Sequence, residues 1–502
     1  MARTYRYSAV LFVFSLTCAW YSQAQTSPDL TGNIVDAKGP LPKVSVGWQG
    51  QSERATTDPQ GHFRLPAPPK AQRLIASKPG YRIGSAVVAQ KPFTLRLERL
   101  PTEDNSDYAW IDPHADPAKP NNCANCHGEI YREWQQSAHA RSAINPKFLS
   151  LFAGTDGKQP AQKKWNAQAE HPDGSAVCAT CHAPTLRSAK LDYDIREATG
   201  VTKSGIHCDY CHKVVDAPTD KLGTRFGRDG LHLLRPAKDD LLTYGPLDDA
   251  VRKGESFGHL PLYKESRYCA SCHEGIVFGV HAYGTYSEWL ESPAKKQGKQ
   301  CQDCHMAPSG KMTNLAPGKG GIERNPATLA SHHVPGGNRD QLTKSLKMNV
   351  QTKTVGKDRR VEVEIVAEKV GHRVPTGFID RHLVLVVAAT EEMGMPADLL
   401  DGARLPTSAG KWQRLPGMLY AKQLHGEANR TPIPFWLTVE KTLDTRLLPE
   451  QPDRRAFVFS GGAKRVTVQL WYRRFWQEVA DLRGWNDNDL LVLEKTLTWQ
   501  ER

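Results

Sequence analysis

The stretch CANCHGEIYREWQQSAHA, residues 123–140, contains the pattern that decides this chain. Two cysteines stand three positions apart, a histidine follows at once, and a second histidine, His139, comes twelve residues later. The Cys-x-x-Cys-His pattern recurs four times, as CATCH, CDYCH, CASCH and CQDCH, and we number the five copies the first to the fifth motif. Their residues are, in order, Cys123, Cys126 and His127; Cys178, Cys181 and His182; Cys208, Cys211 and His212; Cys269, Cys272 and His273; and Cys301, Cys304 and His305.

Three chemistries use cysteine pairs at this spacing, and only one needs the histidine. Disulfides form in exported proteins without a histidine beside them. Zinc sites combine cysteine pairs and do not require a histidine after every pair. Covalent haem c uses all three residues, because two thiols hold the porphyrin and the histidine binds the iron. The sequence therefore predicts five covalently bound haem c groups, with the motif cysteines binding the cofactor and the motif histidines binding iron.

The N-terminus has the layout of a secretory signal peptide. Arg3 and Arg6 precede the apolar run SAVLFVFSLTCAW, and small residues follow at Ser22 and Ala24. The run is too short for a membrane anchor, so we expect residues 1–24 to be removed on export and no transmembrane span to remain. Because haem of this type is attached after export, the predicted location is the periplasm, or the outside or surface, of a bacterium.

The charge balance fits the same cofactor. The chain carries 66 Lys and Arg against 54 Asp and Glu, a formal net charge of +12. A basic surplus can indicate nucleic-acid binding. Here the propionates of five haems would neutralise much of it, so we expect no nucleic-acid partner.

Strand-like patterns lie on both sides of the motifs. Residues 28–101 lack cysteine and consist of short alternating runs separated by Gly, Pro and Asp, which predicts a small β-sandwich. The strings TDPQGHFRL and KPGYRIG within it resemble the carboxypeptidase regulatory-like fold. That resemblance implies a docking or folding module without catalysis. Residues 343–502 contain longer runs such as RRVEVEIVAEKV and HLVLVVAAT, which predict a second β-rich domain that docks on the haems.

The motif-bearing segment, residues 102–342, has few runs of Ile, Leu and Val. We expect the haems to supply its missing apolar surface and short helices and loops to wrap them. The predicted fold class is therefore multidomain, with a haem-packed, mostly α-helical and irregular cytochrome c domain between two β-sandwich-like domains.

One internal repeat lies inside this segment. YREWQQS, residues 131–137, matches YSEWLES, residues 286–292, as Tyr-x-Glu-Trp-x-x-Ser. His139 follows the first serine by two positions, and Ala294 takes that place in the second copy. We expect both copies to be helices whose tryptophans, Trp134 and Trp289, pack against haem; an ordinary amphipathic helix is the alternative.

Several strings between residues 120 and 380 match a known family. They are W-x-x-S-x-H-A, Y-x-E-W-x-x-S, C-Q-D-C-H-M, H-H-x-P-G-G and G-H-x-x-P-T-G. The segment resembles the multihaem cytochrome superfamily that includes the tetrahaem electron acceptor of hydroxylamine oxidoreductase. The resemblance implies that His139, His332 or His333, and His372 bind iron on the side opposite a motif histidine. His259 matches a more loosely defined position of the same kind.

The fifth opposite ligand stays open among His114, His171, His207, His232 and His281, with His281 preferred, and its absence is an alternative. A second strong ligand closes an iron for electron transfer, whereas an open position admits a substrate. We expect an exported cytochrome that passes electrons along stacked, mainly bis-His haems between a donor and an acceptor protein. The alternative is an oxidoreductase that acts on a small nitrogen or sulfur species at one open haem. Pentahaem nitrite reductases typically have lysine in place of one motif histidine, and all five motifs here end in histidine.

Overall fold

The computed structural model describes residues 29–67, 72–88, 93–157, 159–186 and 194–499. The predicted signal peptide, residues 1–24, lies outside them. Within them the chain forms an N-terminal pair of sheets, a middle region of short helices, and a C-terminal pair of sheets. Among the residues described, no helix combines the length and apolar character that a membrane crossing requires.

Two small sheets form the N-terminal unit. One has the order β2-β1-β5 with β8 parallel to β1, and the other has the order β4-β3-β6-β7. Their facing side chains, among them Ile34, Val46 and Leu74, are fully buried, as the alternating pattern predicts for strands with one inner face. The strands are β1 Leu30–Asp36, β2 Gly39–Pro40, β3 Ser45–Trp48, β4 Arg54–Thr56, β5 His62–Leu65, β6 Arg73–Ser77, β7 Gly84–Val87 and β8 Phe93–Arg96.

The middle region is built from short elements. Its helices are α1 Gly128–Gln136, α2 Pro146–Ala153, α3 Ala167–Glu170, α4 Ala179–His182, α5 Cys208–Cys211, α6 Arg267–His273, α7 Thr285–Leu290, α8 Pro293–Lys296, α9 Cys301–His305 and α10 Arg339–Ser345. Its strands pair two by two: β9 Val214–Asp216 with β10 His232–Leu233, β11 Leu242–Gly245 with β12 Ser256–His259, and β13 Glu274–Val277 with β14 Val280–Gly284. The second to fifth motifs lie wholly or partly in α4, α5, α6 and α9, and the first begins in a 3-10 turn, Cys123–Asn125. These three pairs of strands are structure that the sequence did not predict.

The C-terminal unit contains two four-stranded sheets with the orders β15-β16-β22-β18 and β19-β17-β23-β24, plus the ribbon β20-β21. Its elements are β15 Leu346–Val355, β16 Asp358–Ala367, β17 His382–Thr390, β18 Leu399–Asp401, β19 Gly417–Tyr420, β20 Lys422–His425, β21 Lys441–Asp444, β22 Asp453–Phe459, β23 Arg465–Arg473, α11 Gln477–Arg483 and β24 Asp489–Thr498.

Strand β17 joins this unit to the motifs. Leu383 and Leu385 pack into the core between the two sheets, whereas Val384 and Val386 pack in a second cluster with Val277 and other residues of the middle region. Because successive strand residues point to opposite faces, a strand buried on both sides must be apolar throughout. This packing brings the loop between β16 and β17, which contains GHRVPTG, against the motif region.

The N-terminal unit is attached next to β11 and β12. Arg54 makes paired hydrogen bonds to Asp248, with both distances 2.9 Å. Arg82 contacts Asp240 in the same way, at 3.0 and 2.6 Å. The amide of Ile83 donates to the carbonyl of Phe257 at 2.8 Å, which continues the strand pairing between the units. Bidentate hydrogen bonds between arginine and a carboxylate fix the relative orientation of the two groups as well as their distance.

Candidate haem cavity

All fifteen motif residues face one cavity of about 1380 Å³ in the middle region. Aromatic and aliphatic side chains form most of the rest of its wall, including Trp134, Phe148, Tyr283 and Trp289. Ordinary ligand pockets occupy roughly 300–1,000 Å³. The cavity is therefore larger than a site for one small ligand, and its thiols, imidazoles and apolar walls are the groups that several covalently held haems require.

The motif histidines are oriented by the backbone. The Nδ1 atoms of four of them lie within hydrogen-bond distance of a carbonyl oxygen: His127 with Leu315 at 2.9 Å, His182 with Ser142 at 3.2 Å, His212 with Tyr244 at 2.6 Å, and His305 with Pro335 at 3.0 Å. A ring that donates from Nδ1 leaves Nε2 as its lone-pair nitrogen. Such bonds commonly fix the tautomer and direction of metal-binding histidines.

Two further histidines stand opposite motif histidines. The ring centroids of His139 and His273 are 6.3 Å apart, and those of His305 and His372 are also 6.3 Å apart. Metal–imidazole bonds of about 2 Å on both sides of one ion put two such centroids roughly 6 Å apart. Burial lowers the pKa of His139 and of His372 to about 4, so both rings are neutral at pH 7, the form that binds metal. His139 thus faces the fourth motif and His372 faces the fifth.

The structure separates the adjacent histidines His332 and His333. His332 lines the cavity, its amide donates to Glu133 Oε2 at 2.7 Å, and its Nδ1 is buried without a hydrogen-bond partner among the described residues. Burial lowers its pKa to about 4. His333 is exposed and is not part of the cavity wall. Of the two, His332 is the one in position to act as a ligand.

His259 is not brought to the cavity. It follows the cavity residues Phe257 and Gly258 on β12, but its ring is not among the lining residues. Burial lowers its pKa, and the opposing charge of Asp248 shows that the ring lies on the side of the N-terminal unit. Its predicted role as a ligand stays a prediction.

The five candidates for the fifth opposite ligand also differ in whether they line the cavity. His281 bonds Glu274 at 2.5 Å, His171 bonds the carbonyl of Trp436 at 2.5 Å, and neither lines the cavity. His114 and His232 pair with aspartates at the surface. His207 does line the cavity, is fully buried, and has no partner for Nε2 within the described part of the chain. His207 directly precedes Cys208, and this position was the one sequence signal that could have favoured His207 over the other candidates.

The proximity of thiols gives the motifs a spatial order. Cys123 lies near Cys208, Cys181 near Cys272, and Cys269 near Cys301, since each pair perturbs a thiol pKa. Cys211 also lies near Cys272 and Cys269, so the third motif lies near the fourth. The motifs therefore adjoin in the order first, third, fourth, fifth, with the second attached beside the fourth. Sequence order did not reveal this arrangement.

The second motif has different surroundings. Phe148 stacks on the His182 ring with centroids 3.8 Å apart and an angle of 3°. Burial lowers the pKa of His182 to about 4, and no charge from another described histidine contributes. The phenol of Tyr283 lies nearby, since burial and then the charges of the second-motif thiols raise its pKa, while Arg381 opposes them. Both Tyr283 and Arg381 line the cavity, and sequence reasoning singled out neither.

Comparison with known proteins points to the same cofactor. Residues 122–213, which contain the first three motifs, match the family described as cytochrome c554 and c-prime. A penta-heme cytochrome c552 from Thermochromatium tepidum is similar in structure, with a TM-score of 0.55 and 21% identity, over 75% of this chain and 97% of that chain. The second likeness shows a shared fold. No curated protein matches the chain by sequence. Together these findings support a multihaem c-type cytochrome with covalently bound haem.

Proposed function

We propose that this chain is an exported cytochrome that binds five haem c groups and passes electrons between redox partner proteins. The observation that carries the proposal is the convergence of all fifteen motif residues on one cavity in which two further histidines stand 6.3 Å from motif histidines. The motif cysteines would hold the porphyrins, and the motif histidines would hold the irons. Haem supplies a reversible one-electron centre when bound.

The protein's own groups favour electron transfer over substrate binding at the fourth and fifth motifs. His139 and His372 are in position to close the second side of the irons there. Both rings lie among buried residues and are neutral, so they need release no proton in order to bind iron. His372 is further oriented by its Nδ1, which lies 2.9 Å from the carbonyl of Arg373.

The order of the motifs suggests a route. The first, third, fourth and fifth motifs adjoin in space in that order, so electrons would travel between an end near Cys123 and an end near Cys304. Cys304 is the one exposed cysteine of the motifs, so a partner could approach the fifth haem closely. Export through residues 1–24 and a location in the periplasm or at the cell surface belong to the same proposal.

Mass spectrometry and electron paramagnetic resonance test this proposal together. The mature protein should carry the mass of five haems, and the ferric spectrum should be dominated by low-spin signals. His305→Ala and His372→Ala should each disturb one and the same haem. A chain without covalent haem would refute the proposal, and a spectrum dominated by high-spin signals would refute electron transfer as its main role.

The surroundings of the second motif favour a second candidate function. Tyr283 lies near the second-motif thiols, and no other described histidine acts on His182. Arg381 lies near Tyr283 and also near His273 of the fourth motif. A phenol and a guanidinium can donate hydrogen bonds to a small oxyanion. We propose as the alternative that this haem keeps an open side at which a small nitrogen or sulfur species is reduced or oxidised. Binding of nitrite, hydroxylamine or sulfite should then shift a high-spin signal of one haem, and Arg381→Leu should weaken the oxyanions more than neutral hydroxylamine. An unchanged spectrum at saturating concentrations of all three would exclude it.

A further inference from the structure

The two copies of Tyr-x-Glu-Trp-x-x-Ser have the same local structure. The first lies on α1 and the second on α7, and each serine follows the end of its helix. The amide of Ser137 donates to the carbonyl of Trp134 at 2.9 Å, and that of Ser292 donates to Trp289 at 3.0 Å. Both tryptophans are 6% exposed. The sequence repeat is therefore a structural repeat.

Each tryptophan holds the segment that leads into a haem motif. The indole of Trp134 donates to the carbonyl of Ile206 at 2.9 Å, and that of Trp289 donates to Lys299 at 3.0 Å. Ile206 and Lys299 both lie two residues before the first cysteine of a motif, the third and the fifth respectively. The first copy thus supports the third motif, and the second copy supports the fifth.

Each glutamate holds a loop that contains a cavity histidine. Glu133 accepts from the amide of His332 at 2.7 Å. Glu288 accepts from the amide of Arg373, which follows His372, at 3.2 Å, and from the hydroxyl of Thr376 at 2.7 Å. The repeat therefore connects one motif and one histidine loop at each copy.

The second copy shows which motif histidine faces the histidine of such a loop. The motif held by Trp289 and the histidine loop held by Glu288 belong to one facing pair, His305 and His372, at 6.3 Å. Gly371 makes this approach possible, because a Cβ there would lie 3.3 Å from both Ala294 and Trp289. Ala294 takes the place that His139 has in the first copy, so a small residue stands where the loop must pass.

We propose that His332 is the second iron ligand of the haem held by the third motif, opposite His212, and that Glu133 is its positioning residue. The inference deepens the proposed function and rests on haem being bound there. The evidence is the structural repeat. In the first copy Trp134 holds the third motif and Glu133 holds the loop of His332. In the second copy Trp289 holds the fifth motif and Glu288 holds the loop of His372.

Two observations on His332 support the pairing. Its Nδ1 is buried at the cavity without a hydrogen-bond partner in the described residues, although the backbone of Ala330 lies close enough to act on the ring. His332 lies close enough to His212 for the two rings to interact electrostatically. His127 lies within the same electrostatic range of His332, which makes the first motif the competing partner.

The first experiment uses the haem-loaded protein and paired alanine variants. His332→Ala should convert one haem in five from low to high spin in the ferric electron paramagnetic resonance spectrum. His333→Ala is the matched control, since His333 is exposed and outside the cavity wall, and it should leave the spectrum unchanged. A low-spin spectrum in His332→Ala with five haems still attached would overturn the ligand assignment and leave the proposed function standing.

A second set of variants identifies the iron. Cys208→Ser with Cys211→Ser should remove the third haem, seen as the loss of one haem mass. Adding His332→Ala to that protein should create no further high-spin haem. A new high-spin signal would show that His332 serves another iron. If this variant does not accumulate, an experimental structure of the haem-loaded protein decides the pairing, because it shows whether His332 faces the iron bound by His212 or the one bound by His127.

Glu133 is tested separately by conservative replacement. Glu133→Ala should produce a partial high-spin signal of at most one haem in five, because the His332 loop loses its anchor. Glu133→Gln keeps an oxygen that can accept from the same amide and should restore the low-spin spectrum. A merely structural role would lower stability in Glu133→Ala and leave the spin state unchanged, and that result would overturn the positioning role.

Discussion

Asp380 gives a prediction whose size follows from its surroundings. The side chain is 2% exposed, and Oδ2 has no hydrogen-bond partner among the described residues. Burial raises the pKa of this carboxyl from 3.8 to about 8, although a hydrogen bond from Trp476 acts in the opposite direction. At neutral pH the folded protein therefore keeps a protonated Asp380 close to Tyr283.

The sign of the pH dependence follows from this raised pKa. Between about pH 4 and about pH 8 the folded protein binds a proton that the unfolded chain releases, so stability falls as the pH rises through this window. One pKa unit corresponds to about 1.4 kcal/mol, so a rise of about four units sets an upper bound of about 6 kcal/mol on the stability lost by pH 8.

Asp380→Asn keeps the shape of the side chain and removes the ionisation. We expect the variant and the parent to be equally stable near pH 4. As the pH rises the variant should become more stable than the parent, by at most about 6 kcal/mol at pH 8. Thermal unfolding followed by circular dichroism at several pH values measures this difference.

Asp489→Asn is the matched control for that measurement. Burial acts against the charge of Asp489, yet hydrogen bonds from Arg473 and Lys411 lower its pKa. Its replacement should therefore lower stability above about pH 4, the opposite sign. Parallel pH curves for the parent and Asp380→Asn would refute the reasoning about burial.

Three further predictions concern the cavity and its attachment. His139→Ala should turn one haem in five high spin, because its ring stands 6.3 Å from His273, and an unchanged ferric spectrum would contradict the pairing. Phe148→Ala should lower stability by about 2 kcal/mol through lost packing on His182, with Phe148→Leu losing less, as thermal unfolding would show. Arg54→Ala should lower the free energy of unfolding by about 1 kcal/mol, because the half-buried contact with Asp248 is lost, and should speed proteolytic release of the N-terminal unit. Cleavage at the parental rate would show that this contact does not anchor the unit.

The sequence predicted covalent haem c and the residues expected to attach it because that chemistry is local. A haem c motif needs two thiols and an imidazole within five residues, and all five copies show this spacing directly. The strand patterns were equally local. Alternation in residues 28–101 and apolar runs after residue 343 predicted the two regions in which paired sheets are found.

Facing partners were harder to predict, because they are far apart in sequence. His139 and His273 are separated by more than 130 positions, and no spacing rule connects them. The resemblance to a family supplied His139, His332 or His333, and His372 as candidates, and the structure brings His139, His332 and His372 to the cavity. The same reasoning supplied His259, which the structure directs toward Asp248.

By itself the sequence indicated covalent haem c, since the expected attachment needs only two thiols and an imidazole within five residues. Only the tertiary structure decided which motif adjoins which, which histidine faces which motif histidine, and why β17 is apolar on both faces. These relations depend on how separate segments pack around a common interior. Packing of this kind is a property of the whole fold, because each contact is fixed by many distant residues at once.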